Sequence, residues 1–196
     1  MTFLPIIETL QGDVTAYIPT NLISMTDGQV YLSTTLFSEG FKPAIDLGLS
    51  ISRIGSKVQW PAIKKLSGML RLEYLQYREL EKLARVKSGG AEDVEAKLKR
   101  GRILTEIIKQ DKNRPVSFEE QVILFYFFKQ GTLDSITVEQ ARIFRNQLGR
   151  WVKETRPELL ERLAKEKTLT PEIEKELDLL VQIATNQKWT ERGEED

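Results

Sequence analysis

Apolar positions recur with two different periods along this chain, and the change falls near residue 60. Before it the signals are short. Phe3 to Glu8 is an apolar run closed by Gln11-Gly-Asp13, which predicts a buried strand. Pro19 to Met25 has room for one or two helical turns before the turn Thr26-Asp-Gly28. Gln29 to Ser33 alternates as a strand does, and Ile45 to Ser52 reads as another, weakened by Gly48. Short strands broken by short helical turns indicate part of an α/β sheet, since three strands alone make a poor domain.

From Pro61 the period becomes 3.6. Ala62, Ile63, Leu66, Met69, Leu70, Tyr77, Leu80 and Ala84 share one face of a helix that ends before Ser88-Gly-Gly90, with Pro61 at its first position. Glu73 falls on that face, where a carboxylate is more often one half of an ion pair than a catalytic base. Glu92 to Gln110 predicts a second helix with Gly101 as an internal weak point. Ser117 to Glu120 has the form of a capping box opening a helix that Gly131 closes, so the run Val122 to Phe128 is assigned to a buried helix rather than a strand. Thr137 to Gln140 has the same form and starts a helix over 138–155. Pro157 breaks or restarts that pattern, and Thr170-Pro171 opens a last helix to about Gln187. Glu194-Glu195 belongs to a frayed tail.

The fold class expected is therefore α+β overall: a fragment of an α/β sheet, then an all-α helical bundle. Charge patterning agrees, for residues 1–60 carry eight charges and the other 136 carry the remaining 50. The boundaries expected are 1–60 for the sheet part, 61–190 for the helical domain and 191–196 for the tail.

Composition removes several chemistries. With no Cys and no His there is no thiol or imidazole nucleophile, no Ser-His-Asp triad and little with which to hold zinc. Lys and Arg number 29 against 29 Asp and Glu, so no overall field draws the chain to nucleic acid. No apolar run reaches the roughly 20 residues of a membrane span. The opening MTFLPIIETLQG lacks the basic flank and cleavage site of a signal peptide, and the chain reads as soluble. The basic run Lys97 to Arg102 has acidic neighbours and reads as a solvated helix face; Phe125 to Phe128 read as core, and Glu119-Glu120 as ordinary helix charges.

A nucleotide site needs a phosphate loop of the form GxxxxGK[ST] and an acidic residue for magnesium, and the sequence has neither. What remains is Arg53, behind the small-residue strand LSIS and just before Gly55. Its chemistry allows a solvated or ion-paired surface arginine. It equally allows a guanidinium held at a strand end with its donors facing phosphate oxygens.

The segments LPIIETLQGDVTAYIPTNLISMTDGQVYL and KPAIDLGLSISRIGS, followed by LRLEYLQYREL, GRILTEIIKQ, EEQV and GTLD, resemble the alpha subunits of F-type ATP synthases over nearly the whole chain. The resemblance implies the end of a RecA-like nucleotide-binding domain followed by the C-terminal helical domain of a longer subunit. It also implies a hetero-oligomeric ring in which alpha alternates with beta around a gamma stalk, peripheral to an energy-coupling membrane and touching it only through the complex. ATP or ADP with Mg would sit at sites completed by other chains, so the isolated chain is expected to have no activity.

Residue by residue, Arg53 matches the family's arginine finger, offered in trans to the nucleotide on beta. Ser24 matches a serine near the same γ-phosphate region, and Ser50 the small serine of the preceding strand. The adenine end of alpha's own non-catalytic site draws on positions matching Phe37, Pro43 and Gln110. Lys42 stands where the family usually has Arg, and Lys112 where a second Gln is common. The segment Leu83 to Ala91 also departs from the family, near the helix–turn–helix that faces gamma. The phosphate loop would come from a separate N-terminal alpha portion if the subunit is split. Two further readings were open to the residues: a non-enzymatic helical scaffold, and the related hexameric helicases, whose RNA-binding loops are not found here.

Overall fold

The computed structural model describes residues 3–86, 92–185, 187 and 189. The chain divides into two compact units, residues 1–58 and 59–196, each considered by itself.

The first unit has little core. Helix α1 (Tyr17–Met25) is closed by Thr26, whose N–H and hydroxyl both donate to the Leu22 carbonyl. Strand β1 (Gly28–Gln29) follows, then the short helix α2 (Thr34–Ser38), capped by the Ser33 hydroxyl accepting from Leu36 N–H. Strand β2 (Ile51–Ser52) pairs antiparallel with β1, Gly28 opposite Ser52 and Gln29 opposite Ile51. Gly28 has φ +146°, and a side chain there would overlap the Ile51 carbonyl, so only glycine permits the pairing. Leu36 and Phe41 are buried, whereas Phe3, Leu4, Ile6, Tyr17 and Leu32 are exposed.

Three strand expectations are corrected. Phe3 to Glu8 forms no strand, because no described segment offers its backbone a ladder partner. Ile45 to Ser52 keeps only its last two strand residues plus a bridge from Ile45 to Leu32. Asp46 Oδ1 accepts from the Gly48 and Leu49 amides, and this Asx turn folds the middle of the run out of the sheet. In Gln29 to Ser33 only Gln29 belongs to a strand; Tyr31 N–H donates to the Ser50 hydroxyl instead of to a neighbouring backbone.

The second unit is a helical bundle, which completes the α+β architecture. Its helices are α3 (Pro61–Val86), α4 (Glu92–Ile107), α5 (Phe118–Lys129), α6 (Val138–Thr155), α7 (Pro157–Glu166) and α8 (Pro171–Thr185). Helix α5 lies at the centre, packing against α3, α6, α7 and α8, with Val122, Ile123, Leu124, Tyr126, Phe127 and Phe128 all buried. A helix apolar all round belongs inside. Ser117 caps it by accepting from Glu120 N–H, but the reciprocal half of the box is missing because Glu120 pairs with Lys153. At Thr137 both halves form. Pro157 restarts the chain as α7 after a break at Arg156.

Other details differ from expectation. On α3, Met69 and Ala84 are exposed, Leu80 is half-buried, and Tyr74, not expected on that face, is buried. Helix α4 stops at Ile107 rather than Gln110, because Arg145 of α6 takes the carbonyls of Glu106 and Lys109. Arg100 is no solvated member of its basic run. It donates from Nε to Glu73 (3.0 Å), from Nη1 to both Asp134 oxygens (2.6 and 2.7 Å) and from Nη2 to the Phe128 carbonyl, lying over the Phe128 ring. Glu73 is thus an ion-paired carboxylate, as its place on the α3 face suggests.

At Gly101 helix α4 lies tight against α3: a side chain there would overlap the Tyr77 ring, whereas Gly68 of α3 faces open space. The same substitution should therefore act in opposite directions. Gly101→Ala is expected to destabilise the bundle by about 1–3 kcal/mol, and Gly68→Ala to stabilise it by about 0.5–1 kcal/mol through helix propensity. Urea unfolding of the full chain measures both, and equal signs would refute this account of the α3–α4 seam.

Candidate functional site

Arg53 follows β2 directly, and both its backbone and its side chain are tied to the end of α1. Its N–H donates to the Asp27 carbonyl at 2.7 Å, and Nη1 donates to the Ser24 carbonyl at 3.2 Å. Ser24 lies in the last turn of α1, where a carbonyl lacks an intrahelical partner and a cation is favourable. After Arg53 the chain turns through Gly55 at φ +60°, with Gly55 N–H donating to the Ser52 hydroxyl. Arg53 is exposed, and among the described residues no carboxylate forms an ion pair with it. A guanidinium has five N–H donors. The bond to Ser24 leaves most of them directed to whatever approaches this edge, beside the exposed Ile51 and Ile54.

The three residues expected at the catalytic end hold distinct positions. Arg53 and Ser24 are adjacent, but through the Ser24 carbonyl; the Ser24 hydroxyl donates to the Thr20 carbonyl at 2.8 Å. Ser50 is half-buried, its hydroxyl accepting from Tyr31 N–H at 3.0 Å and its N–H donating to the Asp46 carbonyl. It holds the approach to β2 together. Asp27, Asp46, Tyr31 and Ser52 are the supporting residues that the sequence reading did not single out. An Asp two residues before a glycine, as in Asp46-Leu-Gly48, is the signal that could have found one of them.

Phe37, Lys42 and Pro43 gather at α2. Phe37 is exposed, Lys42 Nζ sits 5.2 Å from the centre of its ring, and Pro43 follows a cis peptide bond. Gln110 and Lys112 belong to the second unit, in the exposed loop after α4, where Gln110 Nε2 donates to the Arg114 carbonyl at 3.0 Å. Among the described residues no group of three or more Asp, Glu, Cys or His could hold a metal ion. No described helix is long and apolar enough to cross a membrane.

A cleft of about 200 Å³ opens between α3 and α4, lined by Glu73, Gln76, Tyr77, Leu80, Lys97 and Arg100. Its buried polar groups are already matched. Burial lowers the Arg100 pKa, but the bond to Glu73 and the charges of Asp134 and Glu73 outweigh it, holding the guanidinium above its usual range. Tyr77 donates to Glu81 at 3.0 Å; burial, with the Glu81 charge, pushes its pKa up to about 12. Elsewhere in the bundle, burial and the bond to Asp178 push Tyr126 up to about 12 as well.

Residues 59–184 match the ATP synthase alpha/beta chain, C-terminal domain, and residues 1–52 match the ATP synthase alpha/beta family, nucleotide-binding domain. The ATP synthase subunit alpha of Aquifex aeolicus (strain VF5) is 44% identical over 177 residues, 90% of this chain and 35% of that protein. Subunits of the same name from two Clostridium botulinum strains, Eklund 17B and Alaska E43, are 45% identical over 181 residues, 92% of this chain and 36% of theirs. The chain thus spans about a third of the length of these relatives.

The two raised tyrosines set a pH dependence. In the unfolded chain a tyrosine loses its proton near pH 10, and in the fold these two keep theirs to about 12. Their contribution to stability is therefore full below pH 10 and is lost as pH rises from 10 towards 12. Urea unfolding at about pH 9 and about pH 11 should show the fall, and the double variant Tyr77→Phe, Tyr126→Phe should show a shallower one. Identical pH slopes would refute the assignment.

Proposed function

Because the chain belongs to the ATP synthase alpha/beta family, we propose that it serves as an alpha-type segment of a rotary F-type ATP synthase, offering Arg53 across a subunit interface to a nucleotide held by beta. The observation that carries this reading is the state of Arg53: anchored by its N–H to Asp27 and by Nη1 to Ser24, exposed, and without a carboxylate partner among the described residues. An arginine needed for local stability would be expected to use its fork on local acceptors. Here the local bonds orient the group and leave the remaining donors for phosphate oxygens.

These residues suit the phosphate and not the magnesium. Arg53 supplies the donors, while the described residues contain no carboxylate cluster fit for a divalent cation. Magnesium ligands and the phosphate loop would lie outside these 196 residues. The part played by this chain is electrostatic. During phosphoryl transfer, charge builds on the oxygens of the moving group. A guanidinium already fixed at the end of α1 stabilises that charge without reorganising. Ser24 provides the carbonyl that aims it, and Ser50 braces the strand that carries it.

At alpha's own nucleotide site, Phe37 would present a ring face to the adenine, with Lys42 and Pro43 beside it. Taken by itself, the exposed loop after α4 in the second unit offers Gln110 and Lys112 as polar groups for an adenine. Beta and gamma are the partners in this reading, in a hetero-oligomeric ring whose link to the membrane runs through the complex.

In the assembled complex, Arg53→Lys should lower steady-state ATP hydrolysis by roughly 10³-fold while leaving nucleotide binding nearly unchanged, because Lys keeps the charge and loses the fork. Unchanged turnover would sink the assignment. Affinity purification of the complex through this chain should also recover beta and gamma.

A further inference from the structure

The loop that carries Gln110 and Lys112 is exposed from Gln110 to Pro115 and contributes nothing to the core. It is nonetheless fixed at one place. Arg145 of α6, with a side chain only 8% exposed, reaches it from within the bundle. Nη1 donates to the carbonyls of Glu106 (3.1 Å) and Lys109 (3.0 Å), and Nη2 donates to Asp111 Oδ2 (3.0 Å). These bonds fall immediately before and immediately after Gln110. Nε donates to the Asn146 side chain at 3.1 Å, which sets the plane of the guanidinium. Its buried charge is balanced by Glu106, 3.7 Å away, which also pairs with Lys109 at 2.7 Å.

We propose that Arg145 is a positioning residue for Gln110, clamping the loop after α4 so that this side chain meets an adenine base in a fixed orientation. The inference rests on the reading of Gln110 as an adenine contact. The chemistry is specific. Gln110 Nε2 donates one of its two N–H groups to the Arg114 carbonyl, which fixes the rotation of the amide, and no described residue donates to Oε1, which can only accept. Adenine presents an amino donor at its six-position, whereas guanine presents an oxygen acceptor there. A clamped Gln110 therefore favours ATP over GTP, and a loosened one, able to rotate its amide, does not. Only a planar fork serves both carbonyls and the carboxylate together; a lysine would reach one of them.

The test compares four variants of the full chain in the assembled complex, measuring ATP and GTP retained with magnesium after gel filtration and, by hydrogen exchange, the Arg114 amide that closes the loop on Asp111. Gln110→Ala tests the underlying reading. Arg145→Lys and Asp111→Ala test the clamp; the second touches only an exposed side chain, so it keeps the question open should Arg145→Lys fold poorly. Tyr126→Phe is the control for a general loss of bundle stability. The expected result is a roughly three- to tenfold fall in the ATP-to-GTP ratio for the first three variants, with faster Arg114 exchange in both clamp variants and no change of ratio in the control. If Gln110→Ala leaves the ratio unchanged, the adenine reading fails and this inference with it. If Gln110→Ala lowers the ratio but the clamp variants do not, the inference alone is overturned. A fall in the control equal to that in Arg145→Lys overturns it too, by reducing Arg145 to a stability residue.

Discussion

Helix α5 has no polar stripe through its middle turns, and the bundle depends on covering it. Burying a side chain such as Phe127 or Ile123 contributes about 1.5–3 kcal/mol relative to leaving it in water. Six such residues on one short helix cannot be satisfied by a single neighbour. Helices α3, α6, α7 and α8 each take one side of it. Their own apolar faces follow from that role: Leu66, Leu70 and Tyr74 on α3, Phe144, Leu148 and Val152 on α6, Leu159 and Leu163 on α7, Leu177 and Leu180 on α8 are all buried. The polar bonds then fix how the pieces sit. Arg100 joins α4 to α3 and to the end of α5, and Arg145 joins α6 to the end of α4.

The first unit obeys a different constraint. With few buried apolar side chains, its form is dictated by hydrogen bonds between backbone and short polar side chains. Asp46 folds the turn, Ser33 caps α2, Ser50 replaces a ladder partner for Tyr31, and Gly28 lets β1 and β2 meet. Exposed Phe3, Ile6, Tyr17 and Leu32 show how much apolar surface these bonds leave uncovered. Arg53 is set by the same means, its direction given by a helix-end carbonyl and a strand-end amide.

This difference explains what could be read in advance. In the bundle, burial repeats along the helix, so period and caps announce the elements: Thr137 with Gln140, Gly131 closing α5, and Pro157 opening α7 are visible in the sequence and present in the fold. In the first unit a strand is defined by its neighbour, and sequence does not name neighbours. Apolar runs and alternation therefore overstated Phe3 to Glu8, Gln29 to Ser33 and Ile45 to Ser52. Arg100 and Arg145 were illegible for a related reason. Each lies among ordinary helix charges, and only the packing of α4 on α3 and α6 gives it acceptors. The resemblance, not the pattern, pointed to Arg53, Ser24 and Gln110, because single polar positions outside the core leave no periodic trace.

Three arginines of this chain allow a direct comparison of what the same side chain does in different surroundings. Arg100 engages Nε, Nη1 and Nη2, two carboxylates, a carbonyl and an aromatic face. Arg145 engages all three nitrogens on acceptors from the end of α4, the loop after it and Asn146. Both are satisfied inside the bundle; for Arg145, whose side chain is buried, that satisfaction is obligatory, since an unpaired buried cation is costly, whereas Arg100 is half-buried. Arg53 is held by one side-chain bond and one backbone bond, and solvent meets the rest. Nothing local requires a guanidinium there rather than a lysine, for a single carbonyl at the end of a helix accepts from either. The planar fork is needed only if acceptors arrive from outside these residues in matched geometry, as phosphate oxygens do. The donors that Arg53 leaves open thus set it apart from Arg100 and Arg145, whose donors are taken up within the bundle.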